Sequence, residues 1–154
     1  MLEMKEVGHR PLTHSMARLL AEQRGEEIDR FKPDLIAAVP MYWSQRLRRG
    51  VNSAEEIGET LARRLRVPWG PRLLIRRRNT PPQSELSRTG RFENVRDAFR
   101  VSKCYQLKAT RVLLVDDILT TGATCSEAAR MLRQAGAAEV AVAVIAKSVR
   151  PGSQ

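Results

Sequence analysis

The sequence predicts an α/β fold, a mostly parallel central sheet with flanking helices, and three observations carry the prediction. Arg111 to Val115 and Val140 to Ala146 are β-branched, leucine- and alanine-rich runs, the composition of strands buried on both faces. Between them Cys125, Ala128, Ala129, Leu132 and Ala135 recur at helical spacing, and Gly136 supplies a C-terminal stop. Strand, helix and strand joined by such short links make a right-handed βαβ unit. At 154 residues and 17.4 kDa, the length matches a single domain over residues 1–154 with a core of its own.

The earlier elements follow in chain order. Leu12 to Phe31 reads as a helix with Met16, Leu19 and Leu20 on its apolar face, weakened at Gly25, where it is expected to break. Leu35 to Val39, opened by Lys32-Pro33-Asp34 and closed by Pro40, reads as a buried strand. After a polar loop, Ser53-Ala-Glu-Glu56 has capping-box spacing, and Ala54, Ile57, Gly58, Leu61 and Leu65 predict a helix over about 54–66. Leu73 to Ile75 and Ala98 to Ser102 read as short strands. Asn79 to Asp97, with its Thr-Pro-Pro run and no sustained period, reads as a long loop.

Composition excludes several classes. Hydrophobic residues make up 42%, too many for a disordered chain. The longest apolar run, Leu35 to Trp43, is nine residues with a proline inside, too short to cross a bilayer. No signal-peptide pattern occupies Met1 to Thr13, so a cytoplasmic location is expected. Cys104 and Cys125 stand apart, without metal-ligand spacing, and read as reduced, mostly buried thiols. His9 and His14 read as surface residues, Trp43 and Trp69 as packing residues. The net charge is +10, and Ser44 to Arg100 holds 14 arginines against 6 acidic residues. Concentrated guanidinium groups suit phosphate-rich partners, whether nucleic acid or a small phosphorylated ligand.

The most informative stretch is Val112-Leu-Leu-Val-Asp116-Asp117-Ile-Leu-Thr120-Thr121-Gly122-Ala-Thr124. A buried strand delivers two acids to its carboxyl end, where open α/β sheets bind ligands. A threonine- and glycine-containing loop then enters a helix N-terminus, whose amides and dipole favour phosphate. Gly122 lets the backbone approach an oxyanion closely. The pattern suits a ligand with vicinal hydroxyls and a phosphate, with magnesium nearby. Neither a P-loop nor a dinucleotide fingerprint is present. A receiver domain is excluded because 37 residues after Asp117 cannot hold its remaining βα units.

Val112 to Thr124 resembles the PRPP-binding signature of type I phosphoribosyltransferases. Val39-Pro40, Arg46-Leu-Arg48-Arg49-Gly50-Val51-Asn52, Thr80-Pro-Pro-Gln83, Leu86-Ser87-Arg88, Arg91, Asn94 and Ala98-Phe99 are similar, in order and spacing, to ComF-type (GntX-group) members. Many such members carry an N-terminal four-cysteine zinc module, and this sequence has no such set. Val51, Ser53 and Met41-Tyr-Trp43 depart from the usual residues beside the expected pyrophosphate loop.

The resemblance implies a type I phosphoribosyltransferase-like sheet of four or five strands with helices on both faces. It implies that Asp116 and Asp117 are the catalytic acids and hold the ribose, while Thr120, Thr121, Gly122, Ala123 and Thr124 hold the 5-phosphate. Arg46 and Arg49, with Arg48, would neutralise pyrophosphate. Residues from about 77 to 97 would form a flexible lid, with Gln83, Arg88 and Arg91 as its contacts. The implied reaction is transfer of a phosphoribosyl group from PRPP to an acceptor, with Mg²⁺ bound through PRPP and no dedicated metal ligands. The alternative is a non-catalytic or vestigial PRPP- or nucleotide-binding protein of competence and DNA uptake. Single-stranded DNA, competence proteins and a second copy of this chain are its candidate macromolecular partners.

Overall fold

The computed structural model describes residues 10–41, 52–80 and 88–148. Their elements are α1 (Arg10–Phe31), β1 (Leu35–Ala38), α2 (Ser53–Leu65), β2 (Leu74–Arg76), α3 (Arg88–Val95), β3 (Phe99–Val101), β4 (Arg111–Leu119), α4 (Ala123–Gln134) and β5 (Glu139–Lys147). The central sheet is all-parallel in the order β1-β4-β5, with Leu35 beside Val112 and Arg111 beside Glu139. β2 and β3 form a separate antiparallel pair.

Among the described residues this sheet has three strands, fewer than the four or five expected. Beyond β1 the chain contributes only a parallel bridge from Trp69 to Ile36. Pro68 and Pro71 flank it, and a residue without an N–H cannot extend a ladder. β2 instead pairs with β3, placing Leu73, Leu74 and Phe99 on the α4 face of the sheet.

Strand alternation divides β4 between two cores. Val112 and Leu114 pack with Leu132, Ala128 and Phe99 on the α4 side, while Leu113 and Val115 pack with Ala17, Leu20, Ile57 and Leu61 on the other. Helices therefore cover both faces, as expected. α1 runs unbroken through Gly25, since helical tertiary packing outweighs a propensity cost of about 1 kcal/mol. Its buried residues are Thr13, Ala17, Leu20 and Ile28, whereas Leu19 points outward. Thr13 Oγ1 donates to Glu56 Oε2 at 2.8 Å and ties α1 to α2.

α2 is capped one residue earlier than its Ser-x-x-Glu pattern suggests. Asn52 is the N-cap, accepting from the Ala54 amide at 3.2 Å. Gly58 is needed for packing, because a Cβ there would lie 2.7 Å from the Trp69 ring. Three further expectations are corrected. β4 extends to Leu119, so both acids belong to the strand. Cys104 is exposed, and only Cys125 is a buried thiol.

The third concerns the long loop expected over Asn79–Asp97, which contains α3. This helix packs on α4, and its inward residues include Arg91, 5% exposed, and Val95, 1% exposed. An arginine on the buried face hides the period that an apolar residue would reveal. The segment's ends are also held. The Arg77 amide donates to Ala98 O at 2.7 Å, and the Arg78 guanidinium donates to Arg96 O.

Candidate functional site

The carboxyl ends of β1 and β4 meet at one edge of the sheet. The Val39 amide donates to Val115 O at 2.9 Å, and Asn52 Nδ2 donates to Val39 O at 3.2 Å. Both ends of the segment from Pro40 to Val51 are thus anchored beside Asp116.

Asp116 and Asp117, adjacent on an extended strand, project to opposite faces. Asp116 lies under the first turn of α4. Its Oδ2 accepts from the Cys125 thiol at 3.2 Å and its Oδ1 from the Asp117 amide at 3.0 Å. Burial, with the nearby Asp117 charge adding to it, pushes its carboxyl up to about 6 despite the Cys125 hydrogen bond. The same burial, with the Asp116 charge beside it, pushes the Cys125 thiol far up, so it is an unreactive donor. Asp117 is half-buried on the other face and accepts from the Ile118 amide at 2.8 Å.

Gly122 is the N-cap of α4, with φ 79° and no side-chain cap hydrogen bond. First-turn amides have no intrahelical acceptor, and here no cap side chain meets them. Thr120 is exposed, Thr121, Gly122 and Thr124 are half-buried, and Ala123 is buried. Among the described residues two buried side-chain polar atoms have no hydrogen-bond partner, Thr121 Oγ1 and Arg76 Nε. Native structures rarely leave such atoms unsatisfied unless a ligand, ion or water meets them.

Arg76 is the residue that sequence reasoning missed. Its guanidinium sits over the Phe99 ring, 5.5 Å from the centroid, and donates to the buried Thr80 hydroxyl. Burial lowers its pKa, and the Asp116 carboxylate opposes that shift. A half-buried cation facing a half-buried carboxylate at a sheet's carboxyl edge is a charge arrangement suited to a polyanion. The signal was present: Leu74 and Arg76 share a strand face, whereas the Arg76-Arg77-Arg78 run reads only as surface charge.

This edge can therefore meet an anion with backbone amides and Thr121, and hydroxyl groups with the two carboxylates. The phosphoribosyl transferase domain family matches residues 5–152. The chain belongs to that family.

This phosphoribosyl transferase domain is 34% identical over 142 residues to Competence protein F of Haemophilus influenzae, covering 89% of this chain and 62% of that protein. It is 36% identical over 110 residues to DNA utilization protein YhgH of Escherichia coli K12, covering 71% and 48%. The chain thus spans roughly half to three fifths of these relatives, which bear out the ComF-type resemblance. The fold is shared with glutamine phosphoribosylpyrophosphate amidotransferase from B. subtilis, at TM-score 0.58 and 24% identity over 86% of this chain and 26% of that one.

The other residues read from the sequence are placed as follows. Arg46, Arg49 and Gln83 lie outside the described residues, as do Arg48, His9 and Trp43. Arg88 begins α3, and Arg91, expected as a lid contact, is buried within that helix. His14 is exposed, and Trp69 packs against the α1–α2 core. No helix among the described residues is long and apolar enough to cross a membrane.

A clamp joins the phosphoribosyl transferase domain's α4 to the turn after α3. Glu127 Oε1 accepts from the Asp97 amide at 2.8 Å, while Arg130 donates to both Glu127 oxygens and to Asp97 Oδ1 at 2.7–2.8 Å. The Arg130 hydrogen bond holds the Glu127 carboxyl below its usual range. Asp97 itself has φ 53°, a left-handed conformation that this clamp secures. Glu127→Ala removes the acceptor of the Asp97 amide from a part-buried hydrogen bond and should cost about 1–3 kcal/mol in urea unfolding. Because the Glu127 pKa is depressed, its contribution is present above pH about 4.5 and lost as pH falls through the lower folded value. A Glu127→Ala variant as stable as wild type at pH 7 would show that the clamp contributes nothing.

Proposed function

We propose that this domain binds PRPP at the carboxyl edge of β4 and transfers its phosphoribosyl group to an acceptor nucleophile. The observation that carries the reading is a pair of orphaned buried polar atoms, Thr121 Oγ1 within the family's Asp-Asp…Thr-Thr-Gly-x-Thr signature and Arg76 Nε on β2, whose guanidinium feels the Asp116 charge. In this reading Asp116 and Asp117 accept hydrogen bonds from the ribose hydroxyls. The amides of 121–124 and the Thr121 hydroxyl hold the 5-phosphate at the start of α4. Arg76, with Arg46 and Arg49 from the anchored segment after β1, counters the pyrophosphate charge. The C1–oxygen bond to pyrophosphate breaks as the acceptor bonds to C1, and the basic groups stabilise charge accumulating on the leaving group.

The donor set fits magnesium carried on the ligand. Asp116 and Asp117 are hard oxygen donors, and no group of three or more His, Cys, Asp or Glu among the described residues could cage a metal. When bound, magnesium supplies further neutralisation of pyrophosphate oxygens.

Calorimetry with PRPP and Mg²⁺ tests the binding step. Ligand at about 100 times its dissociation constant should add roughly 2.7 kcal/mol, which at this chain length raises Tm by about 5–10 °C. No shift at millimolar PRPP would refute the reading.

A second reading is nucleic-acid binding in a competence-related cytoplasmic role. It is favoured by the arginines of residues 44–100 and by the names of the two relatives. Single-stranded DNA binding that weakens steeply with salt, and that survives Asp116→Asn, would support it.

A further inference from the structure

β5 is an edge strand with an unusual makeup. Its nine residues run Glu139-Val-Ala-Val-Ala-Val-Ile-Ala-Lys147, with charges of opposite sign at the two ends and seven apolar residues between. Among the described residues it pairs only with β4, and none of them forms a ladder with its other edge. No residue of β5 is fully buried, whereas four consecutive residues of neighbouring β4 are. Val142, mid-strand, is 42% exposed. Beside the strand, against α1, lies an open groove of about 330 Å³ lined by Leu20, Ile28, Phe31 and the β5 residues 141–144, together with the Arg24–Glu27 ion pair of α1.

Edge strands that stay single are normally blunted by an inward charge, a proline, a bulge or brevity. The apolar run of β5 contains neither charge nor proline, and the strand exceeds the usual five or six residues. Its end charges are also unused. Arg111, opposite Glu139 on β4, is engaged by Asp34, and neither Glu139 nor Lys147 has an ion-pair partner among the described residues.

We propose that β5 pairs antiparallel with β5 of a second copy about a two-fold axis at Ala143, giving a continuous six-stranded sheet. Charge selects this register. It sets Glu139 of each copy opposite Lys147 of the other, and every apolar residue opposite an apolar one. Ile145 falls opposite the small Ala141, Val142 opposite Val144, and Ala143 opposite itself. Opposed residues share strand parity, so their side chains lie on the same face, as an antiparallel ladder requires. The axis stands normal to the sheet, so the two α1 helices and the grooves beside them lie on one face. The carboxyl edges of the two β4 strands point in opposite directions, leaving both proposed ligand sites open. The pairing is independent of what those sites bind.

Sedimentation equilibrium of the full chain over a concentration series tests the proposal, with circular dichroism of each variant. Wild type should dimerise reversibly, and a monomer at the highest soluble concentration would overturn the idea. Glu139→Lys places like charges opposite each other twice and should raise the dimer dissociation constant roughly tenfold. Adding Lys147→Glu should restore it to near the wild-type value. A dimer indifferent to both changes uses another surface and sinks the proposal. In a Cys104→Ser background, Ala143→Cys should cross-link the dimer on mild oxidation, since opposed residues lie within disulfide range. Its failure to do so while the protein is dimeric would also refute the register.

Discussion

Replacing Asp116 with asparagine is expected to raise the Tm of the ligand-free protein and, in the same molecule, to remove most of its response to PRPP. Burial holds this carboxyl up to about 6, so ionising it at neutral pH costs folding free energy. Asparagine keeps the shape and, with one acceptor oxygen, retains one of the two hydrogen bonds from the Asp117 amide and the Cys125 thiol, but carries no charge to desolvate. The folded state binds more protons than the unfolded state between about pH 4 and pH 6. Stability is therefore lost as pH rises through that window. The advantage of the variant should be absent below pH about 4 and complete above pH about 6, reaching roughly 1–3 kcal/mol.

Binding runs the other way. A ribose hydroxyl donating to a carboxylate is worth about 1.5–3 kcal/mol, so affinity should fall roughly 10- to 150-fold. Asp116→Asn with Asp117→Asn should abolish the thermal shift by PRPP while leaving circular dichroism unchanged. Wild-type affinity should likewise decline below pH about 6 as Asp116 takes up its proton. A double variant with an undiminished shift would separate the two acids from the ligand altogether.

The second large effect is at the start of α4, where two neighbouring substitutions should diverge. Gly122 has φ 79°, and the space beside it is not the obstacle, since a Cβ there would meet only Leu119 Cδ1 at 3.6 Å. The backbone conformation is. A β-branched residue held in that region costs about 1–3 kcal/mol or shifts the loop, and a shifted loop no longer aims its amides. Gly122→Val should therefore lose both stability and PRPP binding. Thr121→Val, by contrast, removes a buried hydroxyl that has no partner, so the ligand-free protein should be as stable as wild type or slightly more so. Its loss is confined to the ligand and should be about 10-fold or more, read by calorimetry with ribose 5-phosphate. If Thr121→Val binds as well as wild type and Thr124→Ala does not, the orphaned hydroxyl is not a phosphate contact.

Much of this architecture is legible in the sequence because it is built from unmixed signals. β4, α4 and β5 announce themselves through uninterrupted apolar runs and a clean helical period, and the order of acids, threonines and glycine marks the candidate site without coordinates. Legibility fails where a polar side chain does a core residue's work. Arg91 occupies the inward face of α3 and Arg76 the inward face of β2, so a reading that treats arginine as surface misses both the helix and the cation beside Asp116. The inequivalence of Asp116 and Asp117 was recoverable from strand alternation, but only once β4 was known to continue to Leu119. The α2 start shows a smaller failure. Asn52 and Ser53 are both good caps, and the hydrogen bond from Asn52 to Val39 O decides between them through tertiary structure.

That bond between Asn52 and Val39 also bears on how such a domain diversifies. Val39 and Asn52, on either side of residues 40–51, are fixed to each other and to the core by bonds that do not depend on what lies between them. Doubling the length of a closed loop costs only about 0.6 kcal/mol. Insertions and replacements there leave the sheet and Asp116 where they are. Sequence drift can accumulate between these two anchors without eroding the fold, and a lineage can vary that stretch beside one unchanged sheet.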